Sequence, residues 1–513
     1  MKNEVRKAEW TEAPRPHLDP DAGGSLSSPA PSVSARVVKI ATDHRAAGAI
    51  PVRPHMWPFL TMFLLATVLG AWSWAAREPG PVDAYVSVVW TLPTLAVLIA
   101  LTGVWRTWRR SPLSAAGPVR PVDETLVVVV PTVGRADTVP ALFRTVASMV
   151  RELPTHFSSV RVDVIVEQDC DAAREVVALA AGLPHVRVVT VPRAFGTAHG
   201  TLFKARAVHF AHLLRQAEGE DRPDVWVLHM DDDTAIAADT AAVLARFVAE
   251  QHLAGAARLH LCQGVLCYPR ELAPNRLLWM ADAVRPACDV GLFSATTGRG
   301  SPLAGLHGEM LLIRASVESA IGWDFGPRSL VEDAQFALEF SHRFPGRSAW
   351  VPACSAGASP ATVRDFVQQR ERWVWGLLEL VWRRNRFAGR RIPLRHRMLM
   401  LHNVSVWSLA PLGHPLAVLV VCAAFGDFST APTSAALIPC WALNAAYCSW
   451  LYWEGMRLNI ATSARPRRHA WEAGAALLLL PVLSLLEVAG IALGVLRFLM
   501  GAKPHFTVIA KPR

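Results

Sequence analysis

The sequence has little charge for its length, few tyrosines and almost no lysine. Of its 513 residues 18% are charged and 52% are hydrophobic, and four tyrosines stand against 19 tryptophans. So apolar a composition is unusual for a soluble protein of this size and indicates membrane segments, whose interfaces tryptophan often anchors. The arginines behind the net charge of +10 cluster beside apolar runs, at residues 106–110 and 465–468. This pattern favours cytoplasmic flanks facing membrane lipids and predicts no nucleic-acid partner.

The eight cysteines are scattered and form no Cys-x-x-Cys pair. Cys262 and Cys267, the nearest two before the C-terminal apolar runs, lack the His or Cys partners that a zinc site requires. We therefore expect free thiols in a reducing compartment. Residues 1–55 do not resemble a signal peptide, and their richness in Pro, Ala, Ser and charge predicts a disordered N-terminal tail.

Residues 56–105 contain two apolar runs, at 56–76 and 84–104, which predict two transmembrane helices. Tryptophans and arginines follow the second run directly. By the positive-inside rule, the residues after it should therefore be cytoplasmic.

Residues 398–500 predict a C-terminal transmembrane region. Apolar runs occupy 398–425 and 435–456, and a longer stretch at 470–500 is interrupted by Pro481 and Glu487. This last stretch is expected to turn back as a helical hairpin, which would keep the basic tail, 501–513, in the cytoplasm.

Between these regions, residues 123–362 alternate short β-branched runs with helical stretches. Strand–helix alternation of this kind predicts a parallel sheet in one α/β nucleotide-binding domain. The predicted strands are 126–131, 160–166, 186–191 and 225–230, and the predicted helices are 138–151, 172–181, 204–217 and 240–252.

Residues 363–397 are predicted as amphipathic interfacial helices. Apolar residues recur at 3.6-residue spacing from Val363 to Val381, and a run of arginines follows. We interpret the segment as lying on the cytoplasmic leaflet, and the alternative is a basic core helix of the soluble domain.

The fourth predicted strand ends in Asp231, Asp232 and Asp233. Ligands bind outside the carboxyl ends of strands in such sheets, and side chains two apart on an extended tip point the same way. Asp231 and Asp233 could therefore share Mg²⁺ or Mn²⁺ and so neutralise a nucleotide diphosphate, and Asp231 and Asp232 are candidate donor contacts. The alternative is a solvated acidic turn.

Three further residues are candidate donor contacts. Pro131 lies at the first strand-to-helix turn, and Asp169, after the second strand, could accept a hydrogen bond from a base or ribose. Lys204 is the only lysine within residues 123–362, so its ammonium suggests a specific phosphate or base contact. Solvated loops, or chance in the case of Lys204, are the alternatives.

Two later motifs are candidates for the acceptor side. Gly308 and Glu309 precede an apolar run and could line an acceptor pocket. Glu332 and Asp333 stand in the first turn of a predicted helix, whose N-terminus keeps a carboxylate ionised, so Asp333 is a candidate general base. Simple helix capping is the alternative.

Gln369, Arg372 and Trp373 lie on the amphipathic helix. The amide and guanidinium could grip a diphosphate, and the indole could stack on a sugar face.

In this order the motifs resemble those of the family 2 membrane glycosyltransferases, and most of all the egghead-type β-1,4-mannosyltransferases. The resemblance runs over about residues 190–410 and is carried by LFKARA at 202–207, HMDDDT at 229–234, ED at 332–333 and FVQQRERW at 366–373. Residues 506–511 are similar to the Phe-x-Val-Thr-x-Lys end of processive synthases, with Ile509 where their Thr would stand.

The resemblance implies an α/β GT-A (Rossmann-like) cytoplasmic domain, inserted between N- and C-terminal transmembrane helices. It implies that Asp231 and Asp233 bind metal and diphosphate, and that Asp333 is the base. Gln369, Arg372 and Trp373 would hold pyrophosphate and acceptor.

We therefore expect an inverting transferase that moves a hexose from GDP-mannose or a UDP-hexose to a lipid-linked or glycan acceptor, forming a β-linkage. One alternative is a processive polysaccharide synthase of the cellulose or hyaluronan type. Another is a non-catalytic transporter or scaffold with a degenerate nucleotide domain.

Overall fold

The computed structural model describes residues 53–76, 78–109, 121–255, 258–382 and 392–502. The predicted tails, 1–55 and 501–513, lie almost entirely outside these residues, as do the arginines that follow the amphipathic helix and the tail motif at 506–511.

Eight strands form one mixed sheet. They are β1 Val122–Thr132, β2 Phe157–Glu167, β3 Val186–Val191, β4 Val225–His229, β5 Ala235–Ile236, β6 Leu261–Cys267, β7 Leu311–Arg314 and β8 Ser348–Ala356. Their order across the sheet is β3-β2-β1-β4-β7-β6-β8-β5. Strands β1 and β4 are runs of apolar residues because helices cover both faces of this part of the sheet, and every residue of β4 is buried.

The four predicted strands are confirmed as β1 to β4, which pair in parallel. The expectation of a wholly parallel sheet is wrong, because β7 runs antiparallel to both β4 and β6. The chain reaches β7 through a succession of short helical turns instead of one long crossover helix. Strands joined in this way need not be parallel, and the short run Leu311–Arg314 carries no sequence signal of its direction.

Helices pack on both faces of the sheet, and a further helix follows its last strand in the chain. Those within the sheet domain are α4 Val139–Glu152, α5 Ala173–Ala181, α6 Phe203–Ala217, α7 Ala238–Leu253, α8 Arg276–Ala281, α9 Val284–Cys288, α10 Ser294–Thr296, α11 Ala315–Ile321 and α12 Glu332–Arg343. The four predicted helices correspond to α4 to α7, with ends within two residues of the prediction. The predicted amphipathic helix is α13, Val363–Trp382, which packs along the C-terminal helix of the chain.

The remaining helices lie before and after the sheet domain. They are α1 Trp57–Ala75, α2 Pro81–Thr91, α3 Thr94–Arg109, α14 Leu394–Gly413, α15 Pro415–Phe425, α16 Ile438–Ala461, α17 Pro466–His469, α18 Glu472–Leu478 and α19 Leu480–Leu499. Short 3-10 turns and one π-helical turn, Asp289–Phe293, connect several of the helices and strands.

Within the described residues, three helical segments are long and apolar enough to cross a membrane. They are α1, the α2–α3 pair over Pro81–Arg109, and α19, and the α14–α15 pair would be a fourth if its 52° bend lies within one span. Their outer surfaces carry exposed leucine and tryptophan, for example Leu64 and Trp72 of α1, as lipid contact would allow.

One expectation about the C-terminal region is wrong, and a second, the span at 435–456, stays a prediction. Residues 480–499 form one continuous helix, α19, so the predicted hairpin within 470–500 is wrong. Pro481 does not break this helix because it stands in the first turn, where its missing N–H costs nothing. The run predicted as a span at 435–456 is α16, which packs along α1, buries Glu454 and Asn459, and is not among the helices that are apolar enough to cross.

Glycines bring the outer helices into backbone contact with the sheet domain. A Cβ at Gly455 of α16 would collide with the carbonyl of Ala283, and one at Gly103 of α3 would collide with the carbonyl of Gly291. The outer helices and the sheet domain are therefore packed too closely at these points for any side chain.

We predict that Gly455→Ala prevents folding of the whole chain, because a backbone carbonyl cannot give way as a flexible side chain can. Gly474→Ala in α18 is the matched control, since its new Cβ would meet no atom within 4 Å. This control should change the free energy of unfolding by at most about 1 kcal/mol. Size-exclusion chromatography of the detergent-solubilised variants tests whether each folds, and denaturant unfolding measures the stability of the control. A monodisperse Gly455→Ala peak equal to wild type would contradict the prediction.

Candidate active site

A cavity of about 1360 Å³ opens beyond the carboxyl ends of β1 and β4 and continues between the outer helices. It brings together all but one of the site residues predicted from the sequence. Those lining it are Pro131, Lys204, Asp231, Asp232, Asp233, Gly308, Glu309, Glu332, Asp333, Gln369, Arg372 and Trp373.

Asp169 is the predicted residue that does not line the cavity. Its side chain is 63% exposed and faces Arg193 at 3.5 Å. Glu167, at the end of β2, lines the cavity in its place and forms an ion pair with Arg206. The acidic residues at the end of the second strand predicted the correct part of the site, but the turn after Glu167 places the Asp169 side chain in solvent.

The three aspartates after β4 have different surroundings. Asp231 accepts a hydrogen bond from the Lys204 ammonium. Asp232 is buried and accepts from the Thr132 hydroxyl at 2.7 Å, which ties the tip of β4 to the tip of β1. Asp233 is also buried, and its charge acts on Arg144 of α4. The middle aspartate thus holds the two strand ends together, and Asp231 faces the cavity.

A metal ion would have to be held by few protein ligands. Across the described ranges, no three His, Cys, Asp or Glu side chains are grouped as a metal site. Mg²⁺ is commonly bound by only one or two carboxylates together with substrate phosphates and water. Asp231 and Asp233 are compatible with a site of that kind, in which Asp231 also contacts Lys204.

Lys204 lies at the centre of a group of carboxylates. Its ammonium contacts Asp231 and lies 3.8 Å from Glu332. Gly308 permits this position, because a Cβ there would collide with the Lys204 nitrogen. Burial opposes the charge of Lys204, but Asp231, Glu332 and Glu309 outweigh it and raise the pKa of the ammonium. The lysine is therefore held charged beside the strand tips.

The loop that carries Gly308 and Glu309 is held in a strained conformation. Met310 adopts a left-handed φ of 53°, and its N–H donates to the sulfur of Met230 at 3.4 Å. The Gln263 amide donates to the Glu309 carbonyl at 2.8 Å, and Arg285 pairs with the Glu309 carboxylate at 3.2 Å. These contacts place Glu309 beside the aspartates that follow β4. Strained backbone conformations of this kind are typical of functional sites.

Glu332 and Asp333 begin α12, as predicted, and the Asp333 carboxylate accepts from the Ala334 N–H at 2.8 Å. Burial, with Asp333 adding to it, raises the pKa of Glu332 to about 7 against the opposing effect of Lys204. Burial and the charge of Asp231 raise the pKa of Glu309 to about 8 although Arg285 opposes the shift. Near neutral pH the cavity thus retains protons that exposed carboxylates would release.

On α13 the three motif residues face the same cavity. Arg372 is partly buried, and this burial lowers its pKa although Glu332, Asp231 and Asp333 act in the opposite direction. The guanidiniums of Arg285 and Arg370 each lie 4.5 Å from the centroid of the Trp373 ring. The indole is therefore held by two cations, an arrangement that the expectation of simple stacking on a sugar did not include.

Sequence reasoning missed Arg285 and Arg370. Arg285 lies in a short helix with no motif, and nothing in the sequence places it beside Glu309. Arg370 carried a signal, because it stands four residues after Phe366 and four before Val374, on the apolar face of the helix. A charge at such a position indicates a buried partner.

We predict that the proton on Glu309 makes stability depend on pH. The folded state keeps this proton up to a pKa of about 8, whereas the unfolded chain releases it near the ordinary glutamate pKa of 4.5. The resulting stability is present below the unfolded pKa and is lost as pH rises through the folded pKa. The thermal midpoint of Glu309→Gln should therefore fall less than that of wild type between about pH 5 and about pH 9.

The test compares the slope of the thermal midpoint against pH and not its absolute value, because Glu309→Gln also weakens the contact with Arg285 at every pH. Glu250→Gln, at an exposed position of α7, is the control and should keep the wild-type slope. Parallel curves for wild type and Glu309→Gln would contradict the assignment.

Comparison with known proteins agrees with this geometry. Residues 226–453 match the model of glycosyl transferase family group 2. The chain is 28% identical over 236 residues to beta-1,4-mannosyltransferase egh of Drosophila melanogaster. This alignment covers 44% of this chain and 47% of the fly protein. It is also 28% identical over 241 residues to beta-1,4-mannosyltransferase bre-3 of Caenorhabditis elegans, covering 45% and 48%. The chain thus spans about half the length of these relatives.

Among solved structures, the mannosyltransferase PcManGT from Pyrobaculum calidifontis, in complex with GDP-Man and Mn²⁺, superposes with a TM-score of 0.50 and 18% identity. The match covers 82% of this chain and 99% of PcManGT. At this identity the likeness concerns the fold, which is consistent with the predicted GT-A, Rossmann-like architecture. Over residues 226–453 the chain thus matches the family 2 glycosyltransferases, and over somewhat less than half of its length it is similar in sequence to the egghead-type β-1,4-mannosyltransferases.

Proposed function

We propose that the protein is a multi-pass membrane enzyme whose sheet domain faces the cytoplasm. In this proposal it transfers a hexose from a nucleotide sugar to a lipid-linked or glycan acceptor, with inversion and formation of a β-linkage. The observation that carries the proposal is that Asp231, Asp333 and Trp373, from three distant parts of the chain, line one cavity that continues between the outer helices.

The donor would bind at the strand tips. Pro131 and Thr132, at the end of β1, would face the base and ribose, and Lys204 would contact the diphosphate. Arg372 approaches the same carboxylates from α13 and would add a second cation. Mg²⁺ or Mn²⁺, when bound by Asp231 and Asp233, would neutralise charge on the departing nucleoside diphosphate.

Asp333 would act as the general base. It lies in the first turn of α12 and lines the cavity close to Glu332 and the strand tips. The carboxylate would take the proton of an acceptor hydroxyl as that oxygen bonds to C1 of the sugar and the C1–O bond to the diphosphate breaks. Attack from the side opposite the leaving group inverts C1, so an α-linked donor gives a β-linked product.

The acceptor would approach from the membrane side. Away from the strand tips the cavity is lined by residues of the outer helices, among them Trp90, Trp407 and Asn444. A largely apolar space between such helices suits a lipid tail whose head reaches Asp333. The same space would also admit a growing glycan, so the second candidate function is a processive synthase.

GDP-mannose is the favoured donor. The fly and nematode relatives are named as mannosyltransferases, and PcManGT was solved with GDP-Man. We expect purified protein with Mg²⁺ or Mn²⁺ and a membrane lipid extract to release GDP from GDP-mannose, and to release more with the extract than without it. Addition of a single sugar would support the lipid-acceptor enzyme. UDP release from a UDP-hexose with long polymer would instead support the processive synthase.

We further predict that Asp333→Asn abolishes transfer, with a loss of at least about a hundredfold in kcat, because proton removal contributes that much or more. Donor binding should stay within a few-fold, since the carboxylate acts on the acceptor hydroxyl. Isothermal titration with GDP measures binding, and Asp171→Asn at an exposed position is the control. Lost binding with retained turnover would exclude Asp333 as the base.

A further inference from the structure

Arg370 of α13 is almost completely buried, with 1% of its side chain exposed, yet it carries a full set of partners. Its guanidinium donates to Asp282 at 2.5 Å and to Glu487 of α19 at 2.8 Å. The other Asp282 oxygen accepts from the Ser359 hydroxyl at 2.5 Å. One arginine thus joins the sheet domain, the amphipathic helix and the last helix of the chain.

The same guanidinium contacts two motif residues of the proposed site. Its third nitrogen donates to the Gln369 side-chain oxygen at 2.7 Å, and the group lies 4.5 Å from the centroid of the Trp373 ring. With its oxygen engaged, Gln369 keeps its amide NH₂ for other partners. Arg370 therefore determines which end of the Gln369 amide is available and restrains the Trp373 indole.

Glu487 stands within α19, one of the helices apolar enough to cross a membrane. An isolated carboxylate there is costly, and a paired one usually marks a functional position. Gly490, one turn further, leaves room for the pair, because a Cβ there would lie 2.5 Å from the Arg370 Cβ. The glycine and the glutamate together allow α19 to approach α13 closely and to hold Arg370, at a point where Glu487 also lines the cavity.

We propose that Arg370 is a positioning residue for the transfer reaction, which orients Gln369 and Trp373 for the acceptor and diphosphate, and that Glu487 holds it in place from α19. The proposal rests on the proposed function, because Gln369 and Trp373 have a diphosphate and an acceptor to bind only if the protein is a transferase. Arg370 also lines the cavity, but its polar atoms are engaged by Asp282, Glu487 and Gln369, so in this proposal it acts through Gln369 and Trp373.

The structure offers a matched control between the same two helices. Arg497 of α19 pairs with Glu371 of α13 at 2.7 Å, and this ion pair includes neither Gln369 nor Trp373. If Glu487 only docked α19 on α13, loss of either ion pair would have the same effect. If it positions the motif residues, only loss of the Glu487 pair should alter transfer.

The test compares Glu487→Gln with Arg497→Gln in the full-length purified enzyme. For Glu487→Gln we expect kcat/KM for the acceptor to fall about tenfold to a hundredfold, as small misplacement of positioning groups does, with GDP affinity unchanged. Arg497→Gln should leave both within about twofold. In a Gln369→Ala, Trp373→Phe background, Glu487→Gln should have little further effect, because the groups through which it acts are gone.

Equal losses in Glu487→Gln and Arg497→Gln, or a full additional loss in the double background, would overturn the positioning role while leaving the transferase proposal intact. If wild type transfers no sugar from any donor, the proposed function fails, and hydrogen exchange of residues 366–376 then decides the structural part. Faster exchange in Glu487→Gln alone would support the restraint of these residues by Arg370. Equal exchange in both variants would overturn it.

Discussion

Charge balance around Lys204 is the constraint on which the proposed site depends. Four carboxyl groups, from Asp231, Glu309, Glu332 and Asp333, come from three segments far apart in sequence and meet near one ammonium. Without compensation their repulsion would push these segments apart. Lys204 supplies part of the compensation, and protons retained on Glu309 and Glu332 supply more. The strand tip, the strained loop and the start of α12 can therefore lie together around one ammonium.

A second set of charges organises the side of the cavity away from the sheet. Arg370 and Arg285 hold Trp373 between the sheet domain and the outer helices, and each is itself held by a buried carboxylate. Helix α13 thus contributes more than its motif residues. Its apolar face packs on α19, and its one buried arginine converts that packing into a defined position for the side chains that face the cavity.

Local patterns predicted the first half of the sheet domain well, because β1 to β4 are buried apolar runs separated by periodic helices. Local patterns also located the proposed site, because the acidic residues at the strand tips and at the start of a helix lie close together at the carboxyl ends of the strands. The direction of β7 could not be predicted, because its four residues pair with two earlier strands, β4 and β6, through contacts that no local pattern specifies. The position of Asp169 was predicted wrongly and Arg285 was missed for a related reason. The direction in which a turn faces, and the residues that a short helix contacts, are decided by segments distant in sequence. Glu487 and Arg370 were each visible as charges in apolar surroundings, but their pairing spans 117 residues.

The connection from Arg370 to Glu487 bears on how the protein is made. The sheet domain and α13 leave the ribosome before α19 does, so a nascent chain has its strand tips, Lys204 and Asp333 before it has the partner of Arg370. During that interval the cavity lacks its last wall, and a buried arginine has only Asp282 for its charge. Completion of the cavity therefore waits for the synthesis of α19, and a chain truncated before this helix would retain the strand tips and Lys204 without the partner that Glu487 provides for Arg370.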